Sequence, residues 1–352
     1  MPPLPSLEGP FAHNLSAAPK SFYDGCTPSQ GPTEALRVNP VARWVSWDLI
    51  VSAGVSTPTF SVDEHTMYIY AIDGRYIEPL PVNAIPISNG GRYSVLVKLD
   101  QPAGEYTIRV PHAGVNQVIN ATAIMSYTTA IRTQTEPSKP YLDMTASNVT
   151  TDTVILDESK VVPFPVQIPS SNVDRTYKLI IDHFHASYRW TLGNTSFDMS
   201  LEESTPLLFN RSAIPTELAI STKNSTWVDI VMIVSTPIQP PHPIHKHSNK
   251  FFVIGQGKGS FNYSSVAEAM EDIPESFNLR NPQIRDTFIT PAADTGPSWL
   301  AIRHQVVNPG PFLLHCHLQV HLSGGMAMAI LDGVDAWPTV PEGYQLPVLE
   351  DN

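Results

Sequence analysis

At 352 residues, with 42% of them hydrophobic and 15% charged, the chain is long enough for two domains with cores of their own and carries no disordered bulk. A formal net charge of -12 argues against a nucleic-acid partner, since a phosphate backbone selects a basic surface. No apolar run approaches the length of a bilayer span, which argues against a membrane partner.

In chain order, residues 1–30 form an N-terminal remnant or linker. Its start, Met1-Pro-Pro-Leu-Pro-Ser, has neither the basic flank nor the apolar stretch of a secretory signal. A first domain over 31–135 contains the strand-like runs Met67 to Ile72, Tyr93 to Leu99 and Tyr106 to Val110, punctuated by Gly, Pro, Asn and Asp. Residues 136–172, with Pro137, Pro140, Pro163, Pro165 and Pro169 among Thr, Ser and Asn, read as an extended connector. A second domain over 173–340 opens with the run from Tyr177 that holds His183-Phe-His185. It continues through Trp227 to Val234, Phe251 to Gly255 and Trp299 to Ile302, and 341–352 is a tail. Thirty-four prolines restrict long helices, and only Ser265 to Asp272 reads as a short one. The pattern is all-β, that of Greek-key sandwiches or barrels.

The Asn-x-Ser/Thr acceptor pattern begins at Asn14, Asn120, Asn148, Asn194, Asn210, Asn224 and Asn262, more often than composition alone suggests. That excess points to a secreted or cell-surface glycoprotein, and a chain with export features but no export signal reads as lacking its natural N-terminus.

Chemistry concentrates in two short windows. The first is His242-Pro-Ile-His245-Lys-His247; the second is His315-Cys316-His317, followed by His321 and Met326. A thiolate, two imidazoles and a distant thioether suit a blue-copper centre, where soft sulfur and imidazole select copper and a weak axial ligand tunes its potential. If 312–318 is a strand, alternation turns His315 and His317 to one face and Cys316 to the other. One segment then serves two metal centres. By the same alternation His245 and His247 belong together, His242 falls to the cysteine's site, and His321 arrives from the turn after the strand.

These motifs resemble the two C-terminal copper motifs of the multicopper oxidases, and the wider sequence resembles fungal laccases. Thr59-Phe-Ser-Val-Asp-Glu-His65 and Ile87-Ser-Asn-Gly-Gly-Arg92 are similar to the middle domain of such enzymes. Asn281-Pro-Gln-Ile-Arg285-Asp286 and Asn308-Pro-Gly-Pro are similar to the approach to the last motif. The resemblance implies two cupredoxin-like domains, the family's second and third. It assigns His242, Cys316 and His321 to the type 1 copper, with Met326 axial, His245 to type 2, and His247, His315 and His317 to type 3.

It further implies a laccase-like oxidase that couples one-electron oxidation of phenolic or polyketide pigment-type substrates, as in secondary metabolite biosynthesis, to reduction of dioxygen to water. The family's trinuclear cluster takes eight histidines, four from an N-terminal domain with no counterpart here. The type 1 site is therefore complete and the type 2/type 3 site half supplied, so activity requires a missing N-terminal domain or another subunit. A single-copper blue electron-transfer or copper-binding protein without oxygen reduction is the alternative. His183 and His185 read as a polar surface pair; His13, His65, His112 and His304 as surface or satisfied histidines; and Asp286 as structural. In related fungal enzymes a cysteine at the place of Cys26 often pairs with one in another domain; a free loop thiol is the other reading. Lys246 and Lys250 depart from the common family pattern, with Lys246 pointing away from its neighbours by the same alternation, so that ligation survives.

Overall fold

The computed structural model describes residues 31–341 and 343, except 115–116, 129–132 and 204–205. Cys26, His13, Asn14 and the rest of the N-terminal segment, with most of the tail, lie outside the described residues. The chain divides into two compact units, 1–167 with 238–240, and 168–237 with 241–352.

In the first unit nine strands follow one another: Ala35–Val38 (β1), Trp44–Ile50 (β2), Thr59–Val62 (β3), Met67–Ile72 (β4), Arg75–Val82 (β5), Ala84–Pro86 (β6), Arg92–Lys98 (β7), Glu105–Gly114 (β8) and Gln117–Tyr127 (β9). They make a sheet in the order β1-β9-β8-β3-β6 and another in the order β2-β7-β4-β5. Period-two patterning explains the core: Tyr93, Val95 and Val97 of β7 and Met67 and Ile69 of β4 are all buried. His65 is satisfied, its ring bonded to the Asp63 carbonyl and the Tyr127 hydroxyl. His112 bonds the Thr57 carbonyl.

The segment expected as a connector lies against this unit as far as residue 167. Glu78 N donates to Val162 O at 2.8 Å and Asn83 N to Val154 O at 2.7 Å, while Leu142, Leu156 and Val161 are buried. Proline removes donors and helix but leaves carbonyls, and an extended chain offering carbonyls can cover a sheet edge.

The second unit adds Arg175–Phe184 (β10), Ala186–Leu192 (β11), Ala219–Ser221 (β12), Trp227–Val234 (β13), Pro243–Lys246 (β14), Phe251–Lys258 (β15), the helix Val266–Asp272 (α1), Gln283–Arg285 (β16), Thr287–Ile289 (β17), Ser298–Gln305 (β18), Gly310–Cys316 (β19), a second helix Gln319–Ser323 (α2), and Ala327–Asp332 (β20). One sheet runs β11-β10-β13-β18-β15-β16, the other β12-β20-β19-β14-β17. Val228, Ile230, Met232 and Val234 of β13 meet Leu314, Cys316, Met328 and Ile330 of the second sheet in one core. Val231 faces the other way, into a cluster with Val266 and Ala269 of α1. That helix starts where the sequence indicates: the Ser265 side chain accepts from Glu268 N, and Glu268 reaches back to Ser264 N, so two orphan donors are satisfied. The helix α2 was not anticipated; its five residues carry too little periodicity to read.

Register between β14 and β19 sets the second unit's chemistry. Ile244 pairs with Cys316, His245 with His315 and Lys246 with Leu314. Directly opposed residues share a face, so Lys246 joins Ile244, Leu314 and Cys316 on the core side. It turns from its neighbours His245 and His247 as expected, but the side it takes is the interior it shares with Cys316, and Lys246 is wholly buried. Its Nζ lies 3.7 Å from Asp332 Oδ2 and donates to the carbonyls of His247 and Asn249 at 3.2 and 3.3 Å. Burial pushes the ammonium below its ordinary range and Asp332 opposes that shift.

His304 corrects the sequence reading of a surface or satisfied residue. It is fully buried, its ring nitrogens make no hydrogen bond, and its Nε2 lies 3.6 Å from Asp332 Oδ1. It sits opposite Val228 on β18, where alternation along a central strand delivers it to the interior. Burial, and then the nearby Lys246, push its imidazole below its ordinary range, and Asp332 opposes that shift. Desolvation works against the Asp332 carboxylate, but His304, Lys246 and the Thr222 hydroxyl at 2.9 Å hold it below the usual range. Lys246→Met leaves that carboxylate without its ammonium partner and is expected to cost about 3–5 kcal/mol in urea unfolding of the metal-free chain. Adding Asp332→Asn should return much of the loss, giving a coupling that additive sites do not show.

Candidate metal centre

Two groups of donors flank β19. On its core face His242, Cys316 and His321 bring their ligand atoms within 4.8 Å of one another, all three side chains buried. His242 Nδ1 lies 3.1 Å from His321 Nδ1, and Cys316 Sγ lies 3.7 Å from His321 Nδ1. His242 immediately precedes β14, and its backbone is fixed by the Thr290 hydroxyl and by Thr290 N, which bonds its carbonyl. His321 sits on α2 rather than in an open turn; Leu318 N turns back to Cys316 Sγ at 3.5 Å, and Leu318 O takes His321 N.

Met326 is buried in the same core cluster as Cys316. Its carbonyl accepts from Cys316 N and its N–H donates to the His321 carbonyl, so its backbone bridges the two ligand positions.

On the opposite face His245, His247 and His315 form the second group. Carbonyls only accept, so the Nδ1 atoms facing them carry protons: His315 donates to Cys316 O at 2.9 Å and His245 to Asp286 O at 2.9 Å. Both tautomers leave the Nε2 lone pair available to a metal, and His315 Nε2 is 3.2 Å from His247 Nε2. The Asp286 carboxylate pairs with Lys250, so the residue holds a ligand and a lysine at once.

The strand ends at Cys316, two residues before the expected limit, and His317 stands just beyond it. His317 N still donates to Pro243 O at 2.7 Å, which prolongs the β14 pairing, and its ring centroid is 5.7 Å from His315 and 5.9 Å from His245. It borders the second group without its ligand atom joining the tight set.

Both groups fit copper by their donor chemistry. A buried thiol between two imidazoles is the soft, low-coordinate set that copper favours, and convergent imidazoles with Nδ1 tied to carbonyls are prepared ligands. Burial pushes His321 down to about 3 and His315 down to about 4, and it drives His242 well below its ordinary value. The same burial pushes the Cys316 thiol up to about 12. The imidazoles are thus ready to bind near neutrality, and the sulfur gives up a proton to do so.

Trp190 escaped the sequence reading. Its indole lies over His321, ring centroids 4.1 Å apart, and 5.4 Å from His242, so neither imidazole edge is open: His321 is 2% exposed and His242 0%. The pair His183 and His185 is exposed as expected, but His183 stacks on Trp190. The Trp190-Thr-Leu-Gly sequence after a His-x-His strand was the available signal.

Profiles described as multicopper oxidase match residues 187–336 and 20–130. Laccase abr2 of Aspergillus fumigatus is 41% identical over 97% of this chain and 58% of its own length. Multicopper oxidase VdtB of Byssochlamys spectabilis is 42% identical over 97% of this chain and 52% of its own length. The chain therefore spans little more than half the length of these relatives. Among solved structures, the laccase from Botrytis aclada superposes with a TM-score of 0.70 at 25% identity, covering 90% of this chain and 57% of that one.

The lowered imidazoles set a pH dependence. Between pH 6.5 and their folded values the unfolded chain binds more protons, so stability falls as pH falls, by roughly 1.4 kcal/mol per pH unit for each such group. Calorimetry of the metal-free chain should give a Tm that drops steadily from pH 7 to pH 5. Cupric loading at pH 7 should release about one proton for each copper bound at Cys316, read with an indicator dye in weak buffer.

Proposed function

The chain belongs to the multicopper oxidase family, an all-β protein with cupredoxin-like architecture, and on that footing we propose that it supplies the copper-binding half of a laccase-like oxidase. The observation that carries this reading is the division of ligands by β19, Cys316 with His242 and His321 on one face and His315 with His245 and His247 on the other. In this reading His242, Cys316, His321 and Met326 would hold the type 1 copper, His245 would serve type 2, and His247, His315 and His317 would serve type 3. Copper supplies one-electron redox chemistry and the reduction of dioxygen to water; the protein supplies position and exclusion.

Each residue's part follows from its place. Cys316 and His315 are covalent neighbours, and the hydrogen bond from His315 Nδ1 to the Cys316 carbonyl gives a second short link between the two faces. The core around Cys316 excludes water from the sulfur. A thioether at the axial place sets a lower potential than an aliphatic or aromatic side chain there. Easily oxidised phenols, including polyketide-type pigment precursors, are accordingly the proposed donors.

The type 2/type 3 site is proposed as half supplied: the four matching histidines of this sequence await four more, from a further domain of the same protein or from another subunit. No helix among the described residues is long and apolar enough to cross a membrane. Asn148, Asn194, Asn210 and Asn262, each opening an acceptor motif, are exposed, which supports passage through the secretory route.

Loaded with copper, the chain should show an intense charge-transfer band in orange-red light and lose it in Cys316→Ser; a colourless copper-loaded chain would overturn the proposal. Fused to the N-terminal portion of a full-length relative, the blue chain should consume oxygen with hydroquinone, four electrons to each O2, and a fusion that stays blue yet takes up no oxygen would leave only an electron carrier. Produced through a secretory host, the chain should lose mass on enzymatic removal of N-glycans, and an unchanged mass would reject the secretory assignment.

A further inference from the structure

The copper imidazoles being closed to solvent, the route by which a donor reaches them is written elsewhere in the fold. Trp190 is 3% exposed and lies against His321 with planes 33° apart. On its outer side the exposed His183 ring sits at 4.0 Å with planes 36° apart. Three rings therefore form a continuous stack from the surface to the imidazole that faces Cys316 Sγ.

The backbone builds this stack deliberately. His183 and Trp190 are direct cross-strand partners in the β10–β11 hairpin, and an irregularity in the ladder follows immediately after His183. Trp190 N donates to Gly324 O, in the turn that follows α2, so the hairpin is tied to the element that carries His321. A Cβ at Gly324 would stand 2.3 Å from Tyr188 O and 3.0 Å from Trp190 Cδ1, so the close approach requires glycine. The hairpin's charged neighbours are of both signs, Arg189 over the Phe184 ring at 5.6 Å and Asp182, whose carboxylate is taken up by His183 N and the Ser235 and Thr236 hydroxyls, so what the hairpin offers a donor is the face of its rings.

We propose that Trp190, capped by exposed His183, is the port at which a planar phenol docks and through which its electron reaches His321. This rests on the copper reading of the Cys316 site. With a cupric ion held at Cys316, the phenol would pass one electron to that site through His183, Trp190 and His321 and its hydroxyl proton to water. A phenoxyl radical leaves, and Trp190 and His183 end as they began. Tunnelling through contacting rings takes the place of direct contact with an imidazole edge, since His242 and His321 are both buried.

Docking is read first without copper. Phenol titrated into the copper-free chain should move the indole N–H resonance assigned to Trp190 by its loss in Trp190→Phe, and His183→Ala should weaken that binding roughly threefold to tenfold, the worth of an aromatic stacking contact. In the copper-loaded chain without oxygen, His183→Ala should slow bleaching of the blue band by hydroquinone by a similar factor, yet leave bleaching by hexaammineruthenium(II) unchanged. Trp190→Leu should slow both, with the reduction potential and the cupric EPR spectrum unaltered. A Trp190 resonance indifferent to phenol, or blue variants that bleach with hydroquinone at the parent rate, would overturn this inference alone. A parent chain that binds copper without colour would overturn the proposed function and this port with it.

Discussion

Everything in the second unit depends on the pairing of β14 with β19. Because Ile244 opposes Cys316 and His245 opposes His315, the period of two along each strand sorts the donors of the two windows onto two faces, and α2 then brings His321 to the side of Cys316. A slip of one residue would send Cys316 to the open face and two imidazoles to the core, exchanging the two groups wholesale. The ladder is therefore also the selectivity filter of the protein: it decides which donors ever meet.

The same sorting carries a cost. Lys246 lies between two ligand positions, and alternation leaves it no destination but the interior. Asp332 at the end of β20 answers it at 3.7 Å, and His304 on β18 stands 3.6 Å from the same carboxylate; both contacts are electrostatic and longer than hydrogen bonds. What Lys246 does bond are the carbonyls of His247 and Asn249. An ammonium fixed in the core thus holds the chain just where it leaves β14 and presents His247. Buried ion pairs are weak sources of stability, and their better-attested use is to specify one arrangement over another.

Much of this was legible in the residues. Strands Met67–Ile72 and Trp227–Val234 fall where β-branched and apolar runs mark them, and the two-face reading of His315-Cys316-His317 follows from strand geometry alone. What escaped reading shares one physical origin, dependence on partners distant in sequence. Residues 136–167 look like a linker because their prolines are local, whereas their packing comes from the carbonyls accepting from Glu78 and Asn83. His304 looks like an ordinary polar residue until the strands on either side of β18 enclose it. Trp190 is invisible as a site residue because it meets His321 across 131 positions, through a turn whose glycine only the folded backbone makes necessary.

The two donor groups differ in a way that decides what each can do unaided. His242, Cys316 and His321 are closed on every side by the core and by Trp190, so their geometry is set before any metal arrives and reorganises little when charge changes. His247 is exposed, and His245 and His317 are only half-buried, so the second group presents donors outward from a sheet face. A preformed, water-excluded set suits rapid gain and loss of a single electron, because solvent need not rearrange around it. An outward-facing set suits completion by further ligands and entry of a small reactant. The two groups are thus separated by the thickness of one strand, and the Cys316 to His315 peptide bond is the shortest covalent path between them.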